Sequence, residues 1–462
     1  MKRYSKYVII GLLFTFACSD YFEDINVDPN NPIEVTPNVL LPQIQVRLAY
    51  TYNGDASRYV GIYTQHVDGI GRQFVVIHNY GIQPDDVDNL WGRNMYAAVL
   101  ADNRQLGRLA EEGGYNHYTG ISKVIEAYGM MLITDLFGDA PYTEAFQGLN
   151  LLQPKFDTQE SIYTAILGLL EQARADFNQD NGGFAPGQDD LIYGGNMSRW
   201  LKFANVLEAR ARLHLADRDA ASYQNALNAL ARGGFESAAD DARIRFGTGP
   251  TSSSPWYQYI EQRDDIEVGD SYRELLSSMS DPRFNSFGAL LEIPSHPVFV
   301  RDRAAPLLTF VEQKFIESES AFQTGAASQA YAAYKAGIQA SLTENIQYYG
   351  RLAEFTINDN TVSIDQVDFN QVNNDYLSSP AVDPGDGNLT LQHIIMQKYI
   401  ALYADPEVFS DWRRTGIPQL TPNVGNEVPR RLPYAENEIL SNENTPSPAN
   451  VNIFTRVWWD MQ

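Results

Sequence analysis

Cysteine is almost missing from this chain: Cys18 is the only one in 462 residues. No disulfide can form within it, so stability has to come from packing. Histidine is scarce as well. His66, His78, His117, His214, His296 and His393 include no pair with zinc-ligand spacing, and no Cys/His cluster exists. Positive charge is outweighed, 34 Lys and Arg against 58 Asp and Glu, giving a formal charge of −24. That excludes the basic footprint nucleic-acid binding needs and argues against lying directly on anionic lipid. No Gly-x-Ser-x-Gly elbow, P-loop or calcium-loop pattern occurs, and Gly69-Ile70-Gly71 is a glycine fingerprint without its third glycine. Nothing in the sequence places a metal or a cofactor. After the first 20 residues no run is apolar enough to span a bilayer, which takes roughly 20 residues.

The N-terminus carries the first positive signal. Lys2, Arg3 and Lys6 precede a short, mostly apolar run, Tyr7 to Phe16. A basic start, a short apolar core and a small residue before the break describe a secretory signal peptide. Ala17 before Cys18 makes the pattern resemble a bacterial lipoprotein signal, in which the cysteine sulfur receives diacylglycerol and the chain is cut before it. Thr15 departs from that pattern, where leucine is usual. Residues 1–17 then form the signal, 18–37 a lipidated tether and 38–462 a single body. The tether is dense in Asn and Pro, from Asn26 to Pro37, which does not build a helix.

The body reads as all-α, mainly helical. Apolar residues recur at helical spacing from Val39 to Tyr52, around Trp91 to Leu109, and from Tyr118 to Phe137. Asp157 or Thr158 caps the next helix, and Ser198 opens another, with Trp200, Phe203, Leu207 and Ala211 on one stripe. Tyr223–Leu230, Leu307–Phe322, Ala327–Leu342 and Leu391–Tyr403 follow. Several form pairs with short turns, resembling tetratricopeptide-like hairpins. Long polar stretches intervene: 179–196, 235–275, 282–303, 352–388 and 415–462, rich in Gly, Pro, Asn, Ser and Asp. Loops of that length inside a compact body are usually functional or disordered. A helical scaffold under a loop-rich face suits ligand binding.

Asp135-Leu136-Phe137-Gly138-Asp139-Ala140-Pro141-Tyr142-Thr143-Glu144-Ala145 looks like the signature segment of the SusD/RagB family of outer-membrane nutrient-binding lipoproteins. Physically it is a helix end, a Gly-Asp turn and a proline that sets the exit direction. Other matches run in family order: Asp28-Pro29-Asn30, Trp91 with Tyr96 and Asn103, Trp200 with Asn205, Asp281-Pro282-Arg283, Lys398 to Tyr403, Asp411-Trp412-Arg413-Arg414-Thr415-Gly416, Pro429 to Tyr434, and Val457-Trp458-Trp459-Asp460. The resemblance covers nearly all of the mature chain. It implies tetratricopeptide-like hairpins, a place on the outer leaflet of the outer membrane, and pairing with a SusC-like TonB-dependent barrel. The chain would be that barrel's lid, holding a glycan or a peptide without catalysis.

Family motifs are scaffold, so contact residues must come from the loops. Aromatic rings on polar segments stack on sugar rings or peptide side chains. Trp256, Tyr257 and Tyr259, after Thr251-Ser252-Ser253-Ser254-Pro255, are the first candidates. Gln65, Arg72 and Phe74 are the second. Two rivals stand beside the binding lid: a surface glycosidase or peptidase using some of the many carboxylates, and a passive scaffold that binds only proteins.

Overall fold

The computed structural model describes residues 35–284, 297–349, 354–357 and 360–462. Cys18, the signal and most of the tether lie outside them. Helix α1 (Pro37–Tyr50) starts on a proline, whose fixed φ suits the first helical turn. It runs through a π-helical stretch, Thr51–Ala56, into α2 (Ser57–Tyr63). After the short α3 (Arg72–His78) the chain returns as a second π-helical stretch, Asn89–Ala101, continuous with α4 (Asp102–Gly113). Gly114 ends α4 in the left-handed region. Next come α5 (Asn116–Phe137) and α6 (Gln159–Phe177), then α7 (Met197–His214) and α8 (Ser222–Ala231). The short α9 (Pro255–Gln262) and α10 (Asp270–Ser278) precede the long pair α11 (Phe310–Gln323) and α12 (Ala327–Tyr349). Helices α13 (Phe369–Leu377), α14 (Leu391–Ala401), α15 (Glu407–Thr415) and α16 (Glu436–Ser441) complete the set.

Among the described residues four antiparallel pairs stand out: the α1–α2 limb with the limb ending in α4, α5 with α6, α7 with α8, and α11 with α12. They stack in order, α4 on α5, α6 on α7 and α8 on α11. The all-α reading of the sequence holds. Small residues set the close approaches: a Cβ at Gly120 would meet the Phe177 ring of α6 at 2.5 Å. Thr158 caps α6 as read, accepting from the Ser161 N–H, whereas α7 is capped by Asn196, one turn before its first inward-facing ring. Helix α11 starts at Phe310 rather than Leu307, because Leu307 and Leu308 pair as a strand with Ala242–Ile244. The stretch 235–275, read as irregular, contains α9, the start of α10 and two short strands. Its polar composition hid apolar residues at inward positions, Trp256 and Tyr272 among them. One hydrophobic core runs without a break from Leu41 to Trp459.

The segment from Asp135 to Ala145 is structural. Asp135 Oδ1 accepts from the Tyr163 hydroxyl at 2.5 Å and from the Trp459 indole at 2.9 Å. The Leu136 carbonyl accepts from Leu432 N–H, and the Phe137 carbonyl from Arg431. A helix end thus holds the C-terminal tail in place. Gly138 turns the chain at φ 82°, and a Cβ there would lie 3.1 Å from the Arg431 guanidinium. Gly138→Ala is expected to lose about 1–3 kcal/mol, the usual cost of a side chain held in a sparsely populated backbone region. A urea titration of both proteins checks this.

A buried ionic cluster ties α7, α11, α14 and α15 together. Arg210 donates two 2.6 Å bonds to Glu312 and a third to the Leu307 carbonyl, and its guanidinium lies 5.5 Å from the Tyr128 ring centre. His214 meets Glu407 at 2.8 Å through Nε2 and the Tyr163 hydroxyl at 2.7 Å through Nδ1. Lys398 pairs with Asp411 at 2.7 Å, and Arg414 grips Glu319 at 2.5 and 2.8 Å. Arg413 donates to the Asp135 carbonyl and stacks on Phe409 and Trp459. The Asp411–Gly416 motif therefore acts inside the body, with Arg paired against acids, as its family match suggested.

Candidate functional site

Two segments far apart in sequence build one face. Val67–Gly69 pairs antiparallel with Ile266–Val268, which brings the loop before α3 against the end of α9. Ser254 accepts from the Tyr257 N–H, and Pro255 occupies the first turn, so α9 starts at a fixed place. Helix α3 turns Phe74 and Ile77 inward, leaving Arg72, Gln73, Val75 and Val76 exposed. Phe74 packs between two tyrosines, its ring centre 6.2 Å from Tyr59 and 5.6 Å from Tyr259.

Asp265 is the hinge of this face. Its buried carboxylate takes a 2.6 Å bond from Arg72 Nε and a 3.1 Å bond from the Tyr259 hydroxyl. Burial, and then the Asp265 charge, keep the Tyr259 phenol above its ordinary range, so it stays protonated and donates. Arg58 covers one face of Tyr259 at 4.4 Å and pairs with Asp55, which also accepts from Asn94 at 2.8 Å. Asp55 and Asn94 come from the two π-helical stretches, whose packing places them side by side. Nearby, Arg301 lies 4.5 Å over Tyr257, whose hydroxyl donates to Glu261 at 3.0 Å.

Of the six candidates, Arg72, Tyr257 and Tyr259 reach the surface. The other three are placed differently from the expectation. Trp256 is 2% exposed; its ring packs on Phe299 and its indole N–H donates to Ser57 at 3.1 Å. As the second residue of α9 it points into the core, so it positions the helix and offers no stacking surface. Phe74 is 3% exposed and supports the two tyrosines. Gln65 is buried, bonding the loop at Thr421 and Asn423. Sequence reasoning missed Asp55, Arg58, Tyr59, Asn94, Asp265 and Arg301, because only pairing across the chain brings them together. The exposed Ile70, Val75 and Val76 form an apolar rim beside the charged groups.

The face joins donors, acceptors and half-buried rings, which suits a polar oligomer more than a small apolar ligand. Among the described residues no group of three or more His, Cys, Asp or Glu could hold a metal ion, and no helix is long and apolar enough to cross a membrane.

A SusD-like family model, described as "Starch-binding associating with outer membrane", matches residues 29–298 and 291–435. The chain belongs to the SusD-like family. Solved SusD-like structures match it over nearly its whole length. A SusD/RagB family protein from Bacteroides thetaiotaomicron is 22% identical, with a TM-score of 0.72 and 93% of this chain and 99% of that one covered. A SusD homolog from Bacteroides fragilis is 21% identical, with a TM-score of 0.73 and coverage of 92% and 99%. A chitin-binding SusD homolog from Flavobacterium johnsoniae is 22% identical, with a TM-score of 0.70 and coverage of 92% and 97%. At such identities these structures speak for the SusD-like fold. No curated protein matches the chain.

Proposed function

We propose that this SusD-like chain is a non-catalytic surface receptor, lipid-anchored at Cys18 on the outer membrane. It captures an oligosaccharide or a peptide and closes as a lid over a SusC-like TonB-dependent transporter. The observation that carries the binding reading is the convergence of residues 65–74 and 251–268 on one face, with Arg72, Tyr257 and Tyr259 at its surface. Membership in a family described by starch binding and outer-membrane association supports the setting. The chitin-binding relative favours a glycan over a peptide.

Calorimetric titration with chito- and malto-oligosaccharides, and with a peptide library, tests this. Tyr257→Ala is expected to weaken binding at least fivefold while moving the unfolding midpoint little, because the ring is only partly buried and lies outside the core. Saturable binding of an oligosaccharide or a peptide that is unchanged in Tyr257→Ala and Arg72→Ala would remove this face from the reading. Turnover abolished by replacing one carboxylate would favour an enzyme, and no small-ligand binding at all would favour a protein scaffold. The anchor is tested separately: Cys18→Ala is expected to move the protein from the membrane to the soluble fraction with ligand affinity unchanged.

A further inference from the structure

The three most exposed large apolar side chains among the described residues are Leu149, Leu152 and Leu440, at 92%, 70% and 77%. Two segments far apart in sequence bring them to one place. Leu149 and Leu152 lie on the loop that leaves the Asp135–Ala145 segment, and Leu440 lies on α16. Gln153 Nε2 donates to the Ser441 carbonyl at 3.2 Å. The Asn442 and Asn444 amides donate to the Pro154 and Gln153 carbonyls at 2.9 and 3.0 Å. Leu152 and Leu440 are thus each one residue from a bond that joins the two segments.

The base of this patch is ordered. Trp91, Phe156 and Tyr434 pack together behind the two segments, with ring centres 5.3 to 6.3 Å apart. Glu438 of α16 accepts from the Trp91 indole at 3.2 Å and from the Asn442 amide at 2.7 Å. Leucines presented to water on an ordered support lose little freedom when a partner covers them. Contiguous exposed apolar surface of this kind marks a protein contact.

The surroundings select the partner. Residues 143–155 and 436–445 carry four acids, Glu144, Glu436, Glu438 and Glu443, against one base, Lys155, which pairs with Glu144 at 3.3 Å. Asp88 adds another carboxylate beside Asn437. An acidic rim is repelled by anionic lipid. An isologous contact with a second copy would set the same acids face to face. Aliphatic side chains offer a sugar no flat ring to stack on. The complement is a protein surface with an apolar centre and a rim of Lys or Arg.

The patch also borders the proposed ligand face. Asp88 follows the single turn Pro84–Val87, whose Asp86 carbonyl accepts from the Tyr59 hydroxyl at 2.7 Å, and Tyr59 packs on Phe74. A lid that docks beside its ligand face encloses what that face holds. We propose that Leu149, Leu152 and Leu440 dock against the extracellular loops of the transporter barrel. The proposal rests on the receptor reading above, which supplies the barrel.

Tagged full-length protein, extracted from its own outer membrane in mild detergent, tests it, with the co-purifying barrel identified as TonB-dependent by mass spectrometry. Leu152→Asp with Leu440→Asp is expected to recover at least tenfold less barrel than the wild type. Glu436→Lys with Glu443→Lys is expected to lower recovery at least threefold. Leu191→Asp, at an exposed leucine outside the patch, is expected to recover as much as the wild type. All of these side chains are exposed, and thermal melts verify that the variants fold. Equal recovery by the Leu152→Asp, Leu440→Asp variant overturns the proposal and leaves the receptor reading standing. Wild-type protein that recovers no barrel overturns both. A wild-type dimer that this variant dissociates also overturns the proposal and assigns the patch to a second copy.

Discussion

Arg210→Met is expected to destabilise the protein by about 3–5 kcal/mol, the cost of removing one partner from a buried ion pair. Arg210 is 3% exposed, and its side chain satisfies both Glu312 oxygens and the Leu307 carbonyl. Methionine fills much of the same volume but leaves the Glu312 carboxyl, whose pKa burial already raises, without its donors in the core, so that it must either take up a proton or stay charged unpaired. The penalty comes from that orphaned buried carboxyl more than from a lost attraction. The double variant Arg210→Met, Glu312→Leu is therefore expected to recover a large part of the loss. Chemical denaturation at neutral pH reads both. A single variant losing less than about 1 kcal/mol would show that water reaches Glu312 freely. That is a real alternative, because a cavity of about 20 Å³, lined by Arg210, Glu407, Asp135 and Tyr52, adjoins the pair. It is large enough for about one water molecule.

Stability is expected to fall as pH rises from about 6.5 to 9, by roughly 3 kcal/mol from His214 alone. Burial lowers the affinity of this ring for its proton, but the Glu407 and Asp135 carboxylates outweigh it and hold the pKa up to about 9, against an ordinary 6.5. A group with a raised folded-state pKa stabilises the fold below its unfolded value, and that contribution is lost as pH passes the folded value. The geometry agrees with a charged ring: Nε2–H donates to Glu407, and Nδ1–H to the Tyr163 oxygen, whose own proton goes to Asp135. In His214→Gln the wild-type advantage should be largest near pH 6 and shrink by roughly 3 kcal/mol by pH 9.5. Other groups titrate in the same window, so the difference between the two proteins is the measure. A gap independent of pH would mean that His214 is neutral in the folded protein.

The helical pairs were legible because each is a local pattern. The stripe of Trp200, Phe203, Leu207 and Ala211 predicts its own burial, and all four are in the core. The Gly138 turn was legible for the same reason: chemistry within a few residues determines it. The ionic cluster was not, since Arg210, Glu312 and Glu407 sit on three helices and only stacking makes them neighbours. Trp256 shows the opposite error. A polar run before it suggested an exposed loop, but Ser254 and Pro255 are a helix start, and a helix assigns each side chain to a face. The two chosen segments do meet on one face. Which of their residues point outward was decided by α3 and α9, whose boundaries the composition concealed.

The ribbon that joins those segments has a kinetic consequence. Asp270 N–H bonds Asp68 across 202 residues of chain, and Val67 sits opposite Val268 in the ribbon. Contacts between such distant residues bear a large loop-closure entropy and form late, whereas a helical hairpin such as α11–α12 closes over the three residues 324–326. The ligand face would be among the last parts of the molecule to assemble during refolding. Recovery of binding should then lag behind recovery of helical circular dichroism, so that the receptor becomes competent only when the whole body has folded.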